Sequence, residues 1–439
     1  AILANIGHFI LAFSILVVLH EMGHFLPAKW FGCRVEKFYL FFNPWFSLWK
    51  KKVGETEYGL GWVPLGGYVK ISGMVDESMD KEQMKQPPQP WEFRSKPAWQ
   101  RLIIMVGGVV VNFILALVLF AMILFVWGQE RLPMKSMKYG VMVDSLAQSA
   151  GIRPGDQIMA VNDAPVDYFD ELGKKIYLNE KVTISLKRGD RDTAVTLPSG
   201  FLSKLTKTQM QGFILPRYPM VVEADKEVTY VSGKMQKGDT LIGMNNQYFH
   251  FFDQYIEAKK NSKNTEITLH LRRGNDTVNA VVKTDTMTAT GLQLARVYDV
   301  LETEKREYSF FESIPAGINF GVDRLNDYVT GMRLLFTSKE HKVNDNLGSL
   351  ISIGKTFGGV WDWKRFWEMT AFFSIILAFM NILPIPALDG GHALFTIYEI
   401  ITGRKPSDKF MEYAQMVGMV LLLGLMLYAL GLDIWRLFR

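Results

Sequence analysis

The stretch LIIMVGGVVVNFILALVLFAMILFVW (102–127) runs for 26 positions without a charged residue. About 20 apolar residues, each rising ~1.5 Å along a helix, cross the hydrocarbon core of a bilayer. This run is long enough to span with tilt to spare. Further charge-free runs occupy 2–19, 369–388 and 413–432. The pattern predicts four transmembrane helices in a polytopic α-helical membrane protein. The first run lacks a basic leading region and a small-residue cleavage site. It leads into HEMGH rather than a turn, and so reads as a retained helix and not a secretory signal.

Composition narrows the class further. Of 439 residues, 49% are hydrophobic and 21% charged, which excludes collagenous and disordered chains. The single cysteine, Cys33, excludes a disulfide scaffold and a cysteine-cage zinc site. A net charge of +5 is small for this length and does not suggest nucleic acid, which calls for a clustered basic face on a compact domain; the partner expected is the lipid bilayer. The charges are segregated: 1–28 hold no basic residue and 29–101 hold twelve. The positive-inside rule therefore puts the 29–101 loop in the cytoplasm. Four spans then place 128–365 outside, 402–410 inside with Arg404, Lys405 and Lys409, and the C-terminus outside. Arg436 and Arg439 run against that last assignment.

Residues 136–300 have soluble character and repeat themselves. SAGIRPGDQIMAVND (149–163) matches VSGKMQKGDTLIGMNN (231–246), with the Gly-Asp pairs 83 residues apart. VTISLKRGD (182–190) matches ITLHLRRGN (267–275), with Gly189 and Gly274 85 apart. Two copies at this period mean two tandem domains. A Gly-Asp turn, a strand, a helix near 167–178 or 251–262 and a strand hairpin resemble α+β PDZ domains. Such domains bind an extended peptide or a free carboxylate. KYGVMV (138–143) is the candidate carboxylate loop of the first copy, whereas YPMVVEADK (218–226) is a poor match in the second. The alternative is that both copies are spacers that bind nothing.

The chemistry lies elsewhere. In His20-Glu21-Met22-Gly23-His24 the two histidines are four positions apart and share one helix face. Two imidazoles one turn apart can bind one zinc ion, and Glu21 beside them can take a proton from the attacking water. Such residues are costly within an apolar span unless they are functional. Zinc hydrolases usually add a third protein ligand. The candidates are Asp389 in NILPIPALDGGH (381–392) and His392 at its end. Pro384 and Pro386 must break the helix there, which needs buried or water-lined surroundings. His8 reads as a polar contact, and His250, His270 and His341 fall in or beside the soluble block with no metal role.

HEMGH in the first span, paired with NILPIPALDGG in the third, resembles the site-2 proteases, zinc metalloproteases that cut within the membrane. PLGGYVKISG (64–73) and FRSKPAWQRLIIMVGG (93–108) followed by Asn112 resemble the same family. The tandem PDZ-like block points to the bacterial regulator-of-sigma-E protease type, and the likeness covers nearly the whole chain. Two departures stand out: Val109 and Leu350 occupy positions where relatives usually carry proline.

The resemblance implies a division of labour. His20, His24 and Asp389 would bind Zn2+. Glu21 would act as general base and then as acid to the leaving amine. Asn381 would position the substrate or stabilise the oxyanion. Gly66, Gly67, Tyr68, Asn346, Pro384 and Pro386 would contact substrate. Membrane-associated β-hairpins would form from 34–49 and 57–72, with an edge strand holding substrate extended. The expected domains are 1–135 (membrane catalytic half), 136–217 and 218–300 (PDZ-like) and 301–439 (second membrane half). The last includes an amphipathic stretch at 313–336 that can lie on the membrane surface or pack as an ordinary helix. QPPQP (86–90) marks a loop before the second span. The implied location is the bacterial inner membrane with the PDZ-like block periplasmic. The implied substrate is a single-span membrane protein already shortened outside, either anti-sigma-factor-like or a signal-peptide remnant. A zinc hydrolase acting on lipid or small amides, and a PDZ-bearing scaffold with a structural zinc, are the rival readings. A general base at Glu21 counts against the scaffold.

Overall fold

The computed structural model describes residues 2–74, 87–207, 212–224, 228–260, 263, 265–284, 291–341, 356–357 and 360–437. They divide into two compact units. One comprises 1–128, 307–330 and 347–439, the other 129–306 and 331–346. Asn346 and the 346–354 stretch lie outside the described residues.

In the first unit, four helices are long and apolar enough to cross a membrane, with candidate spans 4–30, 98–127, 363–382 and 409–435. They belong to α1 (Ile2–Trp30), α2 (Ala98–Trp127), α4 (Trp363–Ile382) and α6 (Asp408–Leu437). Between them come α3 (Phe310–Thr337), which belongs to this unit through Thr330, and α5 (Asp389–Thr402). The third charge-free run is only part helix. α4 ends at Ile382, and Leu383 turns extended (φ −61°, ψ 143°) because it precedes Pro384.

Glycines set the helix spacing. A Cβ on Gly107 of α2 would lie 1.9 Å from the Gly23 carbonyl oxygen of α1, so the two backbones touch. Small residues at crossings are how membrane helices gain close packing without a hydrophobic driving force. α2 and α4 share a core of Ala116, Phe120, Ala371 and Ile375. The Ser374 hydroxyl donates to the Asn112 carbonyl at 2.7 Å in that contact. α3 packs on α2 where Gly317 meets the Ala121 backbone.

After α1 the chain forms one mixed sheet from β1 (Val35–Phe42), β2 (Trp49–Val53), β3 (Thr56–Leu60) and β4 (Val63–Ile71). The order is β2-β3-β1-β4, with β1 parallel to β3 and antiparallel to β4. β2 and β4 are therefore the two edges. Every residue of β2 is exposed, Lys50, Lys51 and Lys52 among them.

The second unit holds two cores. One is built on Val141, Ile158, Ile184 and Leu186, the other on Met220, Leu241, Leu269 and Val282. The same bonds recur in both. Asp156 accepts from the Arg153 amide at 2.8 Å and pairs with Arg188 at 2.7 Å. Asp239 accepts from the Gln236 amide at 2.8 Å and pairs with Arg273 at 2.7 Å. Asn162 and Asn245, with φ of 49° and 53°, take the left-handed conformation that asparagine tolerates. Their side-chain oxygens accept from Thr183 and Thr268 amides. Helices fall at Phe169–Tyr177 and Phe252–Lys259. The 138–143 loop is not free to hold a carboxylate through these amides: Gly140 N–H donates to Met137 and Val141 N–H to Asp156.

Candidate metal centre and active site

α1 carries His20, Glu21 and His24 on consecutive turns, and α5 brings Asp389 at its first position. His20 Nε2 and His24 Nε2 each lie 3.3 Å from Asp389 Oδ2 and 3.3 Å from each other. These three are the one group of metal-competent side chains that converge among the described residues. The separations equal the edges of a tetrahedron whose centre is about 2.0–2.1 Å from each atom, the reach of zinc to nitrogen and oxygen.

Hydrogen bonds fix which atoms face that centre. His24 Nδ1 lies 2.8 Å from the Ile104 carbonyl oxygen, which can only accept. Nδ1 therefore carries the proton and Nε2 presents a lone pair. His20 Nδ1 lies 3.2 Å from the Asn112 side-chain amide. Asn112 is fully buried and its Oδ1 has no hydrogen-bond partner. A half-turn of that amide places Oδ1 against Nδ1–H and frees His20 Nε2 as a second lone pair. Asp389 Oδ2 is likewise buried without a hydrogen-bond partner. Three lone-pair donors aimed at one point repel one another unless a cation stands between them, and buried carboxylates are normally paired. The donor set fits a divalent metal with a preference for nitrogen and oxygen ligands.

The backbone around the site is shaped to allow this. A Cβ on Gly108 would fall 2.5 Å from His24 Nε2 and 2.6 Å from His20 Cε1, so only glycine lets α2 lie against the imidazoles. The turn before Asp389 contains Ala387 at φ +88°, a strained conformation for a residue with a Cβ. Gly390 and Gly391 fold tightly onto the carbonyls of 382–385. Arg101 of α2 pairs with Glu399 of α5 at 2.6 Å, which ties α5 to the glycine-bearing helix.

A cavity of about 390 Å³ opens over the centre. Its walls include His20, Glu21, His24 and Asp389, the stretch Gly67–Ile71 of β4, the turn residues Ala387 and Leu388, and Gln415 of α6. A Cβ on Gly67 would strike Val17 and the Tyr39 carbonyl, so glycine lets β4 approach α1. Tyr68 donates to Asn43 Oδ1 at 2.9 Å, and burial pushes its phenol up to about 12. It stays protonated at neutral pH.

Of the residues singled out in the sequence, the structure gathers His20, Glu21, His24, Asp389, Gly67 and Tyr68 at this cavity. Gly66 sits one residue off its lining, against the Phe42 ring. Asn381, Pro384 and Pro386 lie on the last turn of α4 and the loop after it and do not line the cavity. His392 lines the cavity but stands outside the converging trio. His8 is buried and stacks on Trp361 at 4.1 Å. Asn112 and Gln415 were not singled out as site residues. The one signal for Asn112 was its place after Gly107-Gly108.

A family model described as Peptidase family M50 matches residues 8–425. Among curated proteins, a "Putative zinc metalloprotease" of Vibrio cholerae is 28% identical, with 99% of each chain covered. The "Regulator of sigma-E protease RseP" of Salmonella typhimurium is 27% identical over the full length of both. A "Regulator of sigma E protease" of Haemophilus influenzae is 26% identical, with 99% of each covered. A match of this extent, laid over two imidazoles, a carboxylate and a neighbouring glutamate in a four-span chain, settles the family. The chain belongs to peptidase family M50, the site-2 proteases, and is a membrane-embedded metalloendopeptidase.

Proposed function

We propose that the chain is a zinc-dependent intramembrane endopeptidase that cuts the transmembrane segment of a single-span protein after an earlier external cut. The observation that carries this is the convergence of His20, His24 and Asp389 beside Glu21 in a cavity walled by the edge strand β4. Zinc, when held by those three, supplies a Lewis acid. Glu21 accepts the proton of the attacking water and returns it to the leaving amine. Helical amides are shielded by their own hydrogen bonds, so the substrate must be extended before it is cut. The outer edge of β4, where the Val69 amide meets the Glu21 carboxylate, offers the pairing that holds it so. In this scheme the Asn381 amide, on the last turn of α4, serves the substrate carbonyl.

The second unit supports a reading as two tandem PDZ-like domains on the periplasmic side of a bacterial inner membrane. In that role its bulk screens out substrates that have not been shortened. The relatives named for sigma-E regulation favour an anti-sigma-factor-like substrate over signal-peptide remnants. Glu21→Gln tests the core of the proposal. Zinc content by mass spectrometry should be unchanged, while cleavage of a single-span model substrate should fall by about 10²–10⁴-fold. A variant that cuts at the wild-type rate refutes it.

A further inference from the structure

In residues 414–432 of the last span there is no charge and a single amide, Gln415. A polar group at such a position is costly unless it has a task. Gln415 is 8% exposed and lines the cavity above the metal centre. Among the described residues its side chain makes no hydrogen bond. Its position is held firmly. One turn on, Gly418 packs on the Pro386 carbonyl so closely that a Cβ would lie 1.5 Å from that oxygen. That contact fixes α6 against the turn that presents Asp389.

A peptide laid along β4 pairs with the sheet through the backbone groups on one of its sides. The N–H and C=O groups on its other side face away from β4 and, inside a water-poor cleft, need partners. Tyr68 and Lys70 belong to β4 itself, His20, Glu21, His24 and Asp389 form the centre, and His392 is already engaged by another group. Gln415 lies on another wall, and one carboxamide both donates and accepts. We infer that Gln415 is a substrate-binding residue that hydrogen-bonds the main chain of the extended peptide on the side turned away from β4. The inference rests on the endopeptidase reading given above and adds to it a recognition element that is blind to side-chain sequence.

The test uses the full-length, zinc-loaded protein in detergent with a single-span model substrate. Gln415→Leu should raise KM about 5- to 10-fold, leave kcat within about twofold and leave zinc content unchanged, the pattern of lost ground-state binding. Scanning N-methylation along the substrate backbone should find one position that costs wild type a similar factor and costs Gln415→Leu nothing more. An unchanged KM overturns the inference, as does a fall in kcat accompanied by zinc loss, which marks a structural role. If zinc-loaded wild type is itself inert, the endopeptidase reading falls and takes this inference with it. If wild type cuts and Gln415→Leu matches it, only the inference falls.

Discussion

Three aspartates separate the two units by their company. Asp156 and Asp239 in the second unit are each gripped by an arginine and a backbone amide. Asp389 in the first unit is as deeply placed in function but has a buried oxygen with no hydrogen-bond partner and two imidazole lone pairs facing it. The satisfied carboxylates hold turns together. The unsatisfied one, with lone pairs facing it, fits a cation. The same residue type thus has two roles, and only the partners tell them apart.

The contrast breaks most severely at Gly108. Gly108→Ala puts a methyl 2.5 Å from His24 Nε2, so either the imidazole turns off the centre or α2 separates from α1 and the Gly23–Gly107 packing is lost. The expected outcome is loss of bound zinc and of proteolysis by about 10²-fold or more, read by metal analysis and a cleavage assay. Asn112→Ala should be milder. It frees the His20 ring without occupying its space and should weaken zinc binding about 10- to 100-fold in a chelator competition. Retained affinity would mean that Asn112 does not orient the imidazole.

Asp239→Asn should have the smallest effect and should leave zinc untouched. The Arg273 guanidinium, aided by the Gln236 amide, holds the Asp239 carboxyl below its ordinary 3.8. A depressed carboxylate contributes stability that is present above its unfolded-state value and is lost as pH falls through its folded-state value. Acid unfolding followed by near-ultraviolet circular dichroism should therefore begin at higher pH in Asp239→Asn, with less change in stability below pH ~4 than in wild type. An identical acid profile would remove Asp239 from the stabilising side of the comparison.

How much of this the sequence showed depended on distance along the chain. HEMGH is a local pattern, and helical periodicity alone puts both imidazoles on one face. The spans were equally plain, because a bilayer demands unbroken apolar length. The partner from Asp389 follows from chemical need, and only the three-dimensional convergence separates it from His392. Asn112 and Gln415 were harder. Each reaches the site from a helix remote in sequence, and which helix faces touch is decided by glycine contacts such as Gly23 with Gly107 and Gly418 with Pro386. The parallel pairing of β1 with β3 is likewise non-local, so the hairpins expected from 34–49 and 57–72 give way to one mixed sheet in which β3 and β4 are not neighbours. In the second unit, the repeated Gly-Asp marked turns correctly. It could not show that the amides at 140 and 141 are already engaged.

The two borders of the β-sheet are unlike, and this bears on how the enzyme avoids its own kind. Three adjacent lysines line the outer border at Lys50–Lys52. Exposed positive charge there discourages a neighbouring molecule from zipping on, a common guard against aggregation. The remaining border runs past Glu21 and the converging His20, His24 and Asp389, so a polypeptide that does add itself to the sheet arrives at the candidate centre.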